Sequence, residues 1–236
     1  MKISITTSSF GQFSNAPFDL LRAAGCDWVT NPHGRVLTAA EAGELLQGCA
    51  GVVAGTEKLT AEVMDAVPEL RVISRCGVGM DGVDLEAARS RNIVVRNTPD
   101  APTRAVAELT LAYVLDLLRR VSLMDRELRS GVWKKRMGGL LLGKRLAVIG
   151  FGRIGRAVAE LFSRMGCEVG FWDPAVDSDV TMGDSTYRRM DKNSLLAWAD
   201  ILSLHCAKPA DGCLVLDRES IALMKKGAFL INAARG

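Results

Sequence analysis

The sequence is short of several things, and each shortage removes a class of protein. No apolar run reaches the roughly 18 residues that a membrane-spanning helix needs. The opening residues, MKISITTSSF, lack a basic stretch followed by a long apolar core, so no secretory signal is read there. An excess of one charge is missing too. The chain has 30 basic and 27 acidic residues, interspersed, for a net charge of +3, which is too balanced for a nucleic-acid surface. Its six cysteines, Cys26, Cys49, Cys76, Cys167, Cys206 and Cys213, form no C-x-x-C pair and no metal spacing. The expectation is therefore no metal and reduced thiols in the cytoplasm. Histidine is scarcest of all, with only His33 and His205. What remains is 236 residues, 48% hydrophobic and 24% charged, enough for one large or two small domains with real cores.

The most informative stretch runs from Leu146 to Asp173. Leu146 to Ile149 is apolar and long enough for one buried parallel strand. Gly150, Gly152 and Gly155 follow in G-x-G-x-x-G spacing. Ile154, Val158, Leu161 and Phe162 then recur at helical period, and Gly166 is a helix stop. Glu168 to Trp172 reads as a second strand with Asp173 at its end. Each type has a physical job. Gly150 permits a tight turn, Gly152 lets backbone approach a pyrophosphate, and Gly155 lets helix and strand pack closely. The helix N-terminus offers free N–H groups and a positive dipole end. Asp173, 18 residues after Gly155, can accept from ribose hydroxyls and repels a 2′-phosphate. Pro174 and Ala175 follow it rather than Arg, so the cofactor expected is NAD.

Residues 1–97 alternate short apolar runs with helical patterns. Strands are expected at Ile3–Thr6, Asp27–Thr30, Gly51–Ala54, Arg71–Ser74 and Ile93–Val95, with helices between them. Thr38, Thr60 and Asp84 read as helix starts. Such alternation implies right-handed crossovers and a parallel sheet, here flavodoxin-like. Asn97 to Pro102 is a Pro-bounded break, so domains are expected at 1–98 and 99–236. A long helix then runs from about Thr103 to Val121, with Val106, Leu109, Ala112, Tyr113 and Leu117 on one face. A more charged helix and a basic patch, Lys134 to Arg136, follow it. Pro174 to Ser185 is polar and expected to be loop. A helix at Ser194–Ala199, a strand at Ile201–Leu204, a helix from Asp217 and a strand at Ala228–Ile231 complete the chain. The fold class is thus α/β, a flavodoxin-like unit followed by a Rossmann unit.

Four groups stand just past predicted strands, where α/β sheets bind ligands. These are Arg75 to Asp81, the phosphate loop, His205 to Pro209, and Asn232 to Gly236. Glycines in the first leave N–H groups able to form an anion nest. Arg235 in the last could grip a carboxylate with two donors.

Together these segments resemble the D-2-hydroxyacid dehydrogenases, and most of all their D-3-phosphoglycerate dehydrogenase branch. The matching pieces are Ser74 to Asp81, Val83 to Ala88, Asn97-Thr98-Pro99, Ala105 to Thr110, Gly131-Val132-Trp133, Gly150 to Gly155, Trp172-Asp173-Pro174 and Asn232 to Gly236. The resemblance implies two domains with the active site in a cleft. It implies hydride transfer between C2 of a 2-hydroxy acid and nicotinamide, with serine biosynthesis as its setting. It implies that Arg75, Val78 and Gly79 bind substrate and that Arg235 is catalytic, polarising it. Val78, Gly150, Gly152, Arg153, Ile154, Gly155, Asp173, His205, Cys206, Ala233, Ala234 and Arg235 would lie along NAD. The helix from Thr103 and the segment around Trp133 would form a homodimer interface, with Lys134 to Arg136 reaching toward an anionic substrate.

Three departures from the family pattern stand out. Gly82 replaces a common Asn and is expected to loosen its loop. Ala54 stands where phosphoglycerate-specific members can present an Arg for phosphate, so 3-phosphoglycerate is one candidate among the 2-hydroxy acids. The family's acid/base His and partner Glu come from segments after the position of Arg235. Loss of a hydride from an alcohol also needs a base for the hydroxyl proton. His33 sits in a turn, and His205 lines the cofactor strand end. The 236 residues are therefore expected to be part of a longer chain and inactive alone. The competing readings are a truncated paralogue and a non-catalytic NAD sensor or corepressor.

Overall fold

The computed structural model describes residues 1–207 and 214–234. It divides into two compact units, Met1–Pro102 and Thr103–Gly236. The first contains β1 (Lys2–Ile5), α1 (Ala16–Ala23), β2 (Asp27–Thr30), α2 (Ala39–Leu45), β3 (Gly51–Ala54), α3 (Ala61–Asp65), β4 (Val72–Arg75), α4 (Leu85–Ser90) and β5 (Val94–Asn97). All neighbouring strands are parallel, in the order β2-β1-β3-β4-β5. That is the flavodoxin-like order, and its reversal point lies between β1 and β3.

Local chemistry sets where these helices begin. Thr38 caps α2 in a full capping box with Glu41, and Thr60 and Asp84 accept the N3 amides of α3 and α4. α3 stops at Asp65, ahead of Pro68. The core of the unit gathers Leu46, Leu59, Met64, Leu70 and Ile73, all within 2% of full burial. Each such side chain contributes on the order of 1.5–3 kcal/mol.

The second unit contains α5 (Thr103–Arg119), α6 (Val121–Arg129), β6 (Arg145–Ile149), α7 (Arg153–Arg164), β7 (Glu168–Trp172), β8 (Val180–Met182), β9 (Ser185–Arg189), α8 (Lys192–Trp198), β10 (Ile201–Leu204), α9 (Arg218–Ala222) and β11 (Phe229–Asn232). Its sheet has the order β11-β10-β6-β7-β9-β8. β6 shows why the sheet is covered on both faces. Leu146 and Val148 join one apolar cluster with Val158 and Phe162 of α7, while Ala147 and Ile149 join another with Leu195 and Leu196 of α8. Period-two alternation within one strand thus feeds two cores. Phe151 and Phe171 stack at 3.7 Å in the first of them.

One expectation is corrected here. Pro174 to Ser185 is not all loop: β8 and β9 form an antiparallel hairpin, and β9 pairs in parallel with β7 through Gly170↔Arg188 and Phe171↔Arg189. The turn is Gly183-Asp184, with Gly183 at φ +57°. A Gly-Asp pair between Thr- and Tyr-containing runs is a hairpin signal, masked by the polarity of an edge strand. In α5 the apolar face expected from periodicity is largely solvent-exposed, with Leu109 at 45%, Tyr113 at 48% and Leu117 at 43%. The buried stripe is instead Ala107, Thr110, Val114 and Leu118.

Candidate functional site

The strand ends of the second unit meet around Gly150. Its amide donates to the carbonyl of Trp172 at 2.9 Å, and the amide of His205 donates to Ile149 at 2.8 Å. β6, β7 and β10 therefore deliver their last residues to one place. Gly150 sits at φ +91°, and a Cβ there would lie 2.5 Å from the Cys206 nitrogen. Gly155 is equally constrained, since its Cβ would fall 2.0 Å from the Gly150 carbonyl oxygen. Gly152 differs: a Cβ there would meet nothing within 4 Å. The first and third glycines are needed by the protein's own packing. The second leaves open space beside an uncapped helix.

That helix is α7. Gly152 is its N-cap, and no side chain caps it. Amides of its first turn, Ile154 and Gly155 among them, are left for an anion. Asp173 stands beside this end. One of its carboxylate oxygens accepts the Phe151 amide at 2.6 Å and the other accepts the Ala175 amide at 2.8 Å. Each oxygen keeps a further lone pair. A dinucleotide fits these groups: open space at the middle glycine, free amides for phosphate, and a fixed carboxylate for a ribose.

His205 and Cys206 follow β10. The His205 Nε2 lies 2.8 Å from the Ser203 hydroxyl, and its Nδ1 is buried without a partner among the described residues. Burial lowers its pKa to about 4, so the ring is neutral at pH 7. Burial likewise pushes the Cys206 thiol up. Cys206 and Ala234 pack against the same apolar cluster, beside β10. Arg235 and Gly236 lie outside the described residues, as do Lys208, Pro209 and Cys213. The five other cysteines are free.

Arg75, Val78 and Gly79 belong to the first unit. Arg75 closes β4, and its Nε donates to the Gly79 carbonyl at 3.0 Å. The loop is fixed from outside: the Gly77 amide donates to the Thr98 hydroxyl at 2.8 Å, and Asn97 donates to the Val78 carbonyl at 2.8 Å. The Val78 and Gly79 amides have no partner among the described residues. Gly82 tightens this region rather than loosening it. Its carbonyl accepts the Leu59 amide at 2.7 Å, and a Cβ there would lie 2.6 Å from the Glu57 carbonyl. An Asn at this position would not fit that approach.

Sequence reasoning missed one feature of this unit. A cavity of about 180 Å³ opens at the ends of β1, β3 and β4, with the buried carboxylate of Glu57 in its wall. No motif surrounds Glu57, and its role depends on Thr6, 51 positions away.

A sequence model described as D-isomer specific 2-hydroxyacid dehydrogenase, NAD binding domain, matches residues 111–236. The chain belongs to the D-isomer specific 2-hydroxyacid dehydrogenases. Its second unit carries the NAD-binding domain of that family. The chain is 38% identical over 187 residues to the D-3-phosphoglycerate dehydrogenase of Methanocaldococcus jannaschii, covering 78% of this chain and 36% of that protein. It is 36% identical over 187 residues to the hydroxypyruvate reductase of Thermotoga maritima, covering 78% of this chain and 60% of that one. The chain spans 36% to 39% of the length of the phosphoglycerate dehydrogenases it matches. Among solved structures, a Thermus thermophilus protein superposes with a TM-score of 0.87 at 36% identity, over 100% of this chain and 74% of that one. Within the dehydrogenase family, then, its likeness runs to the phosphoglycerate dehydrogenase branch.

Proposed function

We propose that the protein transfers a hydride between C2 of a D-2-hydroxy acid and NAD. When bound, NAD supplies the hydride acceptor, or in its reduced form the donor, at its nicotinamide ring. The chain's own residues bind and orient. Gly150, Gly152, Arg153, Ile154 and Gly155 take the pyrophosphate, and Asp173 takes the adenosine ribose. His205, Cys206, Ala233 and Ala234 flank the rest of the cofactor. Residues 1–98 serve as the substrate domain and residues 99–236 as the cofactor domain.

Arg75 and the amides of Val78 and Gly79 take the substrate carboxylate. Val78 also borders the cofactor, and Arg235 contacts both cofactor and substrate as the catalytic residue that polarises C2. His205 does not move the proton. A neutral, buried ring with a pKa of about 4 is a poor base at pH 7. The acid is a small 2-hydroxy acid, with 3-phosphoglycerate one candidate, and serine biosynthesis is the setting that candidate would give.

The observation that carries this reading is the uncapped start of α7, joined to Asp173 through the Phe151 amide. The exposed apolar residues of α5, continued by Val132 and Trp133, support a homodimer. The free cysteines support a cytoplasmic protein.

The test is NADH titration of the intact protein by fluorescence, followed by NADH oxidation with a panel of 2-keto acids. Saturable binding and turnover of at least one acid are expected. Binding without turnover of any acid would favour a sensor over an enzyme. No binding of either coenzyme would overturn the whole reading.

A further inference from the structure

Resting on the hydride-transfer reading above, we infer that the first unit selects acids whose tail carries a free hydroxyl rather than a phosphate, and that Glu57 makes the selection. The cavity lies where the order of the parallel sheet reverses, between the ends of β1 and β3, with Arg75 of β4 on its wall. Such reversal points are where α/β sheets bind small molecules.

Glu57 is 3% exposed. Its Oε1 accepts from the Thr6 hydroxyl and from the Gly55 amide at 2.9 Å, and among the described residues its Oε2 accepts only from that same amide, at 3.1 Å. The Gly55 amide donates to both oxygens, the Thr6 hydroxyl is shared with the Val53 carbonyl at 3.0 Å, and Oε2 has capacity to spare. No Lys or Arg pairs with Glu57 among the described residues. The backbone at Glu57 is closely packed: Gly82 lies against its carbonyl, where a Cβ would come within 2.6 Å.

Two cations share the wall, and both have other work. Arg35 is committed to Glu41 through two hydrogen bonds of 2.9 and 2.6 Å. That guanidinium holds the Glu41 carboxyl well below the usual carboxylate range. Arg75 reaches to the Gly79 carbonyl, beside the free amides of Val78 and Gly79, where the substrate carboxylate belongs. The cavity is therefore polarised. One end takes an anion, and the other presents a buried acceptor.

An acid with its carboxylate at Arg75 turns its tail toward Glu57. A tail hydroxyl donates to Oε2 and completes the carboxylate's hydrogen bonding. A methyl in that place leaves a buried acceptor unpaired, which binding would have to offset. A phosphate brings two negative charges against a buried carboxylate that no free cation neutralises.

Three D-2-hydroxy acids isolate the effect, because they differ only in what C3 carries: D-lactate (hydrogen), D-glycerate (hydroxyl) and D-3-phosphoglycerate (phosphate). Each is titrated by calorimetry onto the intact protein saturated with NADH, where no turnover follows. D-Glycerate should bind about tenfold tighter than D-lactate, and D-3-phosphoglycerate weakest of the three. Glu57→Gln keeps the shape and removes the charge, and should narrow the gap between glycerate and phosphoglycerate by about tenfold. Thermal melting of the variant checks its fold, and the wild-type ranking decides the matter even if the variant fails to fold. Tightest binding of D-3-phosphoglycerate, an unchanged gap in a folded Glu57→Gln, or NADH binding with no affinity for any of the acids would overturn the inference. Failure of NADH itself to bind would instead bring down the reading on which it rests.

Discussion

The carboxylate of Asp173 accepts the amide of Phe151 at 2.6 Å, tying the end of β7 to the loop that leaves β6. The bond fixes a negative charge beside the uncapped start of α7 without consuming all its acceptor capacity. Asp173→Asn can keep the bond while losing the charge. NAD affinity should fall about tenfold or more, on the scale of a hydrogen bond to a charged group. Discrimination against NADP should shrink, because nothing then repels its 2′-phosphate. Parallel fluorescence titrations with NADH and NADPH measure both effects, and an unchanged preference would remove Asp173 from the ribose.

The three glycines of the phosphate loop should separate in a stability assay. Gly155→Ala drives a methyl to within 2.0 Å of the Gly150 carbonyl oxygen and should cost about 3 kcal/mol or more. Gly152→Ala meets nothing within 4 Å and should cost about 1 kcal/mol at most, the difference between Gly and Ala at an N-cap. Its loss should appear in NADH affinity instead. Urea unfolding and NADH titration of both variants check the pair. Equal stability losses would contradict the division of labour.

His205 makes stability depend on pH. Burial lowers its pKa from 6.5 to about 4. Below about pH 6.5 the unfolded chain takes up a proton that the folded ring still refuses. The neutral ring's contribution is therefore complete above pH 6.5 and is lost as pH falls toward 4. At pH 5 the loss should be roughly 2 kcal/mol relative to pH 7. His205→Gln should remove that part of the difference in urea unfolding at the two pH values. A variant with the full wild-type difference would assign it to other groups.

The outward face of α5 should be an association surface. Leu117 is 43% exposed and Tyr113 48%, so neither supports the fold of a single copy. At protein concentrations low enough to dissociate the wild-type dimer, Leu117→Glu should change unfolding free energy by less than about 0.5 kcal/mol. In sedimentation velocity at micromolar concentration, the wild type should run as a dimer and the variant as a monomer. A dimer unaffected by the change would place the contact elsewhere.

Much of this was legible from residue order alone. Thr38, Thr60 and Asp84 begin helices because their side chains accept amides three positions on, a purely local interaction. Gly150, Gly152, Gly155 and Asp173 marked a candidate dinucleotide site because the backbone needs of a strand–turn–helix allow few alternatives at that spacing. Tertiary structure alone decided three other things. Periodicity reveals which residues of α5 share a face, but burial on Ala107 and Val114 rather than Leu109 and Tyr113 depends on what the helix packs against. The β8–β9 hairpin is polar, and it became part of the sheet because β7 offered it an edge. Nothing in its own stretch of chain marks Glu57. It became a buried acceptor, beyond its local bond to the Gly55 amide, only when the parallel sheet carried Thr6 to the same rim, since strand order, not sequence distance, sets which loops meet.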